Sequence, residues 1–117
     1  MSNPYNKLPD PEALPASTGN GVSFSHDSLY MAVAHFTTPF VTIYKRDGDV
    51  FTKLPDPEAL PASTGNDVDF SHDSTYMAVA HSTTPFVTIY KYRLLVMTLT
   101  AIQEVDDIKL TWLYDWE

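Results

Sequence analysis

Apolar and polar residues alternate in short runs separated by turn-forming clusters, a pattern that predicts β-strands. Val22-Ser23-Phe24-Ser25 alternates strictly. Leu29 to His35 is richer in apolar residues, as suits a strand buried on both faces. Phe40-Val41-Thr42-Ile43-Tyr44 is β-branched and aromatic throughout, and Val50 to Leu54 alternates again. The breaks carry turn chemistry. In His26-Asp27-Ser28, Asp27 can accept a hydrogen bond from its own downstream backbone. Arg46-Asp47-Gly48-Asp49 contains the Asp-Gly pair of tight hairpins, and Thr37-Thr38-Pro39 makes a third break. The connector from Leu8 to Gly21 is long. Its Asp10-Pro11-Glu12 reads as an N-cap followed by a proline-started helical turn. Near the other end, Ile108, Leu110, Trp112, Tyr114 and Trp116 fall on one side of a predicted strand, with Leu94 to Ile102 as its partner across Gln103 to Asp107.

The pattern occurs twice. Residues 7–45 align without a gap with residues 53–91 at an offset of 46, and only four of the 39 positions differ: Gly21/Asp67, Ser23/Asp69, Leu29/Thr75 and Phe36/Ser82. Folding constraints alone do not hold surface positions so tightly, so the duplication is recent or engineered. The expected organisation is an N-terminal strand and first unit over residues 1–52, a second unit over 53–91, and a β tail for packing or oligomer contact over 92–117. Tyr5 to Leu8 aligns with Phe51 to Leu54 and is therefore expected to be the outermost strand of a preceding unit. The fourth strand of the second unit is expected from Val96-Met97-Thr98 or from the N-terminus of another molecule.

The stretch from Val22 to His35 (VSFSHDSLYMAVAH) resembles the inner hairpin of β-propeller repeats, of the form apolar-x-Phe-Ser-x-Asp-(Gly/Ser)-x-Tyr-apolar-Ala-Val. The whole unit is similar to repeats in propeller segments of bacterial and bacteriophage structural proteins. It lacks the Gly-His and Trp-Asp signatures of the eukaryotic WD-type pattern. The resemblance covers residues 5–91 and implies an all-β fold: two tandem four-stranded β-propeller blades plus a C-terminal β-hairpin-like tail. Propellers close with roughly four to eight blades, and stacked repeats need about three for stability. Completion of the propeller by oligomerisation is therefore expected, three chains giving six blades or four giving eight.

Composition narrows the partners. Seven basic against fifteen acidic residues give a net charge of −8, and no basic cluster interrupts the acidity. Nucleic acid and anionic membrane surfaces are disfavoured as partners. The chain has no cysteine, which removes disulfides and thiolate metal sites. No signal peptide and no apolar run near the roughly 20 residues of a membrane helix are visible. A soluble protein is expected, compatible with the bacterial cytoplasm or a virion.

Candidate chemistry is sparse. Ser25-His26-Asp27 lists the residues of a hydrolytic triad, but neighbours on an extended chain point in alternating directions, and turn formation accounts for them better. His35 and His81 occupy equivalent positions, where hydrogen bonding at a strand end outweighs a shared metal site. Asp67 and Asp69 share one side of an inner strand, where solvation competes with a cation site of oxygen ligands. In a propeller the long connector and the His35 to Pro39 turn emerge on one face, which makes Glu12, Asn20, His35 and Phe36, with Glu58, Asn66 and His81 in the second copy, candidates for a protein or glycan ligand. Rigid spacing is the competing role. No cofactor is implied.

The expected function is a non-enzymatic structural or binding module whose blades self-associate into a ring, with a phage-like or bacterial surface assembly implied by the resemblance. The alternatives are a lactonase-like propeller hydrolase with a site on the long-loop face, and an engineered or laboratory-evolved repeat with no natural ligand. An enzyme usually breaks its repeat at the active site, whereas these copies differ at four positions of 39.

Overall fold

The computed structural model describes residues 3–96 and 112–116. They form eight strands: β1 (Gly19–Phe24), β2 (Tyr30–His35), β3 (Val41–Asp47), β4 (Val50–Lys53), β5 (Gly65–Phe70), β6 (Tyr76–His81), β7 (Val87–Val96) and β8 (Trp112–Trp116). No helix occurs among the described residues. Two antiparallel sheets result, one in the order β1-β2-β3-β4, the other in the order β5-β6-β7 with β8 added along the far half of β7.

The β1–β2 and β5–β6 turns are built by their own side chains. The Ser25 hydroxyl donates to Asp27 Oδ1 at 2.6 Å, Asp27 Oδ1 accepts from Leu29 N–H at 3.0 Å, and Ser25 Oγ accepts from Tyr30 N–H at 2.9 Å. Ser71, Asp73, Thr75 and Tyr76 repeat this network in the second sheet. The β3–β4 hairpin turns through Gly48 at φ 58°, a conformation in which a glycine carries no Cβ penalty. The Arg46 guanidinium clamps the two turns together by donating to Ser28 O and Gly48 O.

Three sequence expectations shift. Leu29 belongs to the turn rather than the strand. Phe40, at φ 72°, ends the preceding turn, so β3 starts at Val41. The helical turn expected after Asp10 is absent, and residues 9–18 run as bends: Pro9, Pro11 and Pro15 each push the preceding residue toward extended backbone. Pairing in the tail also differs in part. Val96 lies in β7, and the strand added to the second sheet is β8, with Leu94 opposite Tyr114 and Val96 opposite Trp112. The rest of the expected tail hairpin, residues 97–111, lies outside the described residues.

The core lies between the sheets. Strand alternation sends Tyr30, Ala32, Ala34, Val41 and Ile43 to one face of the first sheet, where all are buried. Val68, Phe70, Met77 and Val79 meet them from the second sheet. Full burial of such a side chain stabilises by roughly 1.5–3 kcal/mol. Ala32 and Ala34 are small enough to let the sheets approach closely. At the tightest point a Cβ on Gly65 would lie 2.3 Å from Phe40 O and 3.1 Å from Ala34 Cβ. The pair remains open: Tyr76, Val87 and Ile89 of the second sheet and Val22 and Phe24 of the first stand exposed on the outward faces, while the first connector covers Tyr44 on the outward face of the first sheet.

Candidate interaction surface

The residues singled out from sequence do not converge on one concavity. His35 and His81 are buried, and each shares a hydrogen bond through Nε2 with a threonine on the neighbouring strand, Thr42 at 2.8 Å and Thr88 at 2.9 Å. Burial pushes the His35 imidazole below its ordinary pKa, so it stays neutral at pH 7. Asn20 is committed to the seam between sheets, donating from Nδ2 to Gly65 O at 2.8 Å, and Asn66 donates to Ser82 Oγ. Phe36 is exposed, and its carbonyl accepts from Thr64 Oγ1 of the second sheet's connector. Glu58 is exposed. Glu12 lines a cleft of about 410 Å³ between the first connector and β4, with Asp10, Phe51 and Lys53 among its walls.

The connectors are fixed by tyrosines. Tyr44 Oη donates to Ala13 O and Tyr90 Oη to Ala59 O, both at 2.7 Å. Burial raises the pKa of both hydroxyls, that of Tyr90 to about 12. Each connector is thereby held to the sheet it leads into.

Three of the duplicated positions meet across the seam between β1 and β5. Gly21 faces Asp67, so closely that a Cβ on Gly21 would sit 2.5 Å from Asp67 Oδ1. Ser23 Oγ donates to Asp69 Oδ1 at 3.3 Å. The His26 and His72 rings stand 3.7 Å apart between centroids, while Ser74 Oγ accepts from the His26 and Asp27 N–H groups. The substitutions that distinguish the copies at 21/67 and 23/69 are therefore partners of one another. Among the described residues no group of three or more His, Asp, Glu or Cys side chains could hold a metal ion. None of these residues forms a helix long and apolar enough to cross a membrane.

Two repeats were expected to leave surface for further chains, but the sequence did not specify which face of each copy is covered. Ile43 is 2% exposed, whereas its copy Ile89 is 64% exposed. Val41 and Tyr30 are buried, but Val87 and Tyr76 are open. On the opposite face the order reverses: Val68 and Phe70 are 3% and 7% exposed, Val22 and Phe24 60% and 52%. The free face of the second sheet thus has the side chains of the first sheet's covered face, and the free face of the first sheet has those of the second sheet's covered face. Contiguous apolar faces of this kind mark interaction surfaces. No residue-by-residue signal could have revealed this, because the two copies are the same sequence at these positions and differ only in what lies on them. No protein-family model, curated protein or solved structure matches the chain.

Proposed function

We propose that the chain is a non-enzymatic structural or binding module whose two sheets act as propeller blades, and that copies associate head to tail into a closed ring. The observation that carries this reading is the complementary burial of equivalent faces. A second copy that lays its first sheet on the free face of the second sheet repeats the contact already made within each chain. Tyr76, Val87 and Ile89 then take the roles of Tyr30, Val41 and Ile43. Val22 and Phe24 of the next copy take those of Val68 and Phe70. At the seam the substituted pairs recur with sides exchanged, Asp67 against Gly21 and Asp69 against Ser23 of the next copy. A Cβ on Gly21 comes within 2.9 Å of Asp67 Cα in the chain, so the copies stand slightly further apart at that pair.

Magnitudes favour closure. Covering five half-exposed side chains (Val22, Phe24, Tyr76, Val87 and Ile89) contributes on the order of 1 kcal/mol each. That total barely meets the low end of association costs, about 4 kcal/mol. An isolated pair of chains is therefore weak, whereas a head-to-tail contact that closes on itself gives every chain two interfaces for one added constraint. Three chains supply six blades and four supply eight, within the range of closed propellers. The close match of the copies fits a structural role, since no position has diverged to build a reacting centre. Light scattering of the purified chain tests the reading. A mass of several chains that falls on dilution is expected, and a single-chain mass at every concentration overturns it.

A further inference from the structure

Resting on the head-to-tail reading, we propose that residues 6–8 of a neighbouring copy complete the outer edge of the second sheet along Ile89–Lys91 of β7. In the first sheet the corresponding edge is covered. Lys53 stands opposite Tyr44 and Thr52 opposite Lys45, and Leu54 N–H donates to Ile43 O at 2.8 Å. Strand β8 pairs with β7 from Tyr92, opposite Trp116, to Val96, opposite Trp112, so the backbone of Ile89–Lys91 has no outer strand partner among the described residues. An open strand edge of this kind is a template for another chain.

The chain carries the matching segment. Shifted by the repeat offset of 46, Lys53 and Leu54 become Lys7 and Leu8, identical in type, and Thr52 becomes Asn6. Residues 4–8 belong to no strand, and Leu8 is 42% exposed where Leu54 packs against the core. The segment that follows is already in its blade-like place. The Lys7–Asp10 ion pair at 2.8 Å repeats Lys53–Asp56 at 2.9 Å, and Tyr44 holds the first connector as Tyr90 holds the second. A copy seated with its first sheet on the free face therefore delivers residues 6–8 to this edge, as Lys53 and Leu54 lead from the first sheet to the second. The register pairs Lys7 with Tyr90 and Asn6 with Lys91, and Leu8 N–H donates to Ile89 O. The outer strand is then shared, its far half from β8 and its near half from the neighbour.

The chain has no cysteine, so an engineered pair gives a clean readout. Directly opposed Cα atoms in an antiparallel pair lie about 4.5–5.5 Å apart, within the span of a disulfide. Oxidation of the full chain carrying Asn6→Cys and Lys91→Cys is expected to give covalent multimers that a reductant resolves into single chains. The control pair Lys45→Cys and Thr52→Cys closes within one chain. Association by light scattering without an interchain disulfide, while the control closes, overturns the strand sharing and leaves the head-to-tail assembly standing. Closure of Asn6 and Lys91 within one chain also overturns it. A single-chain mass for the unmodified protein overturns both.

Discussion

Alanine at Gly65 and alanine at Gly19 are the same change at equivalent positions, and the structure assigns them opposite consequences. At Gly65 a methyl group would sit 2.3 Å from Phe40 O and 3.1 Å from Ala34 Cβ, so the two sheets must part. Overpacking of that kind costs about 1–3 kcal/mol. Parting also strains two hydrogen bonds across the seam, Asn20 Nδ2 to Gly65 O and Thr64 Oγ1 to Phe36 O, each contributing about 1 kcal/mol. The narrower unfolded ensemble of alanine returns about 0.4–1 kcal/mol. The net loss for Gly65→Ala is therefore about 2–4 kcal/mol. At a urea dependence of roughly 1.5 kcal/mol/M, the unfolding midpoint falls by about 1–3 M. At Gly19 the nearest atom to an added Cβ is Val33 Cγ1 at 3.4 Å, an ordinary contact, so the single chain keeps or slightly gains stability. In the proposed assembly, however, Gly19 of the next copy stands under Phe86 O of the copy it docks on, as Gly65 stands under Phe40 O. Gly19→Ala should therefore leave the urea midpoint of the dilute chain in place and reduce the light-scattering mass to that of one chain. A Gly65→Ala protein as stable as the parent refutes the tight seam. An unchanged assembly in Gly19→Ala refutes the repetition of that seam between copies.

The same contrast applies to Ile43 and Ile89. Ile43→Lys buries a charge in the core and unfolds the chain, whereas Ile89→Lys leaves circular dichroism intact and abolishes association, because its side chain is already in solvent. Acid should weaken the fold through His35, whose folded pKa lies below the unfolded value of about 6.5. Above that value both states are neutral. As pH falls below it, the unfolded chain takes a proton that the folded chain refuses, and stability drops by up to about 1.4 kcal/mol per pH unit until the folded pKa is reached. His35→Gln should flatten this slope in urea melts as pH falls below about 6.5, and an unchanged slope would show that another group is responsible. Asp27→Ala removes the acceptor of Ser25 Oγ and Leu29 N–H, for an expected loss of about 1–2 kcal/mol in denaturant unfolding. Burial pulls the Asp27 pKa upward, but those hydrogen bonds, its own backbone N–H and the Arg46 charge together outweigh it and the net shift is downward. Its contribution is thus complete above the unfolded carboxyl value near 3.9 and fades as pH falls through the folded value.

Local chemistry was enough to read the all-β class, the repeat and most strand positions. Alternation, β-branched runs and the Asp-containing turns act over a few residues, and the Ser25–Asp27 turn forms as its residue types suggest. Where local rules competed, the sequence was ambiguous. The proline-rich connector could have begun a helix, but its prolines and the tethering by Tyr44 to Ala13 O settle it as bends. The source of the strand beside β7 was equally open, because many apolar tail residues have the right alternation. Only pairing in three dimensions selects Trp112–Trp116. Three of the seven candidate ligand residues hold internal hydrogen bonds: Asn20 on the seam, His35 and His81 on threonines. The hydrogen-bonding role of His35 and His81 was expected from their place at a strand end, but their threonine partners and the Asn20 contact with Gly65 join residues that local sequence does not bring together.

By itself, then, the sequence determined two nearly identical β units with their turns, since these depend on neighbours along the chain. The tertiary structure decided which face of each unit is covered. Ile43 and Ile89 sit in the same local sequence and have the same strand geometry, yet one is core and the other surface. Burial is a property of what packs against a side chain, and that is written in neither copy alone.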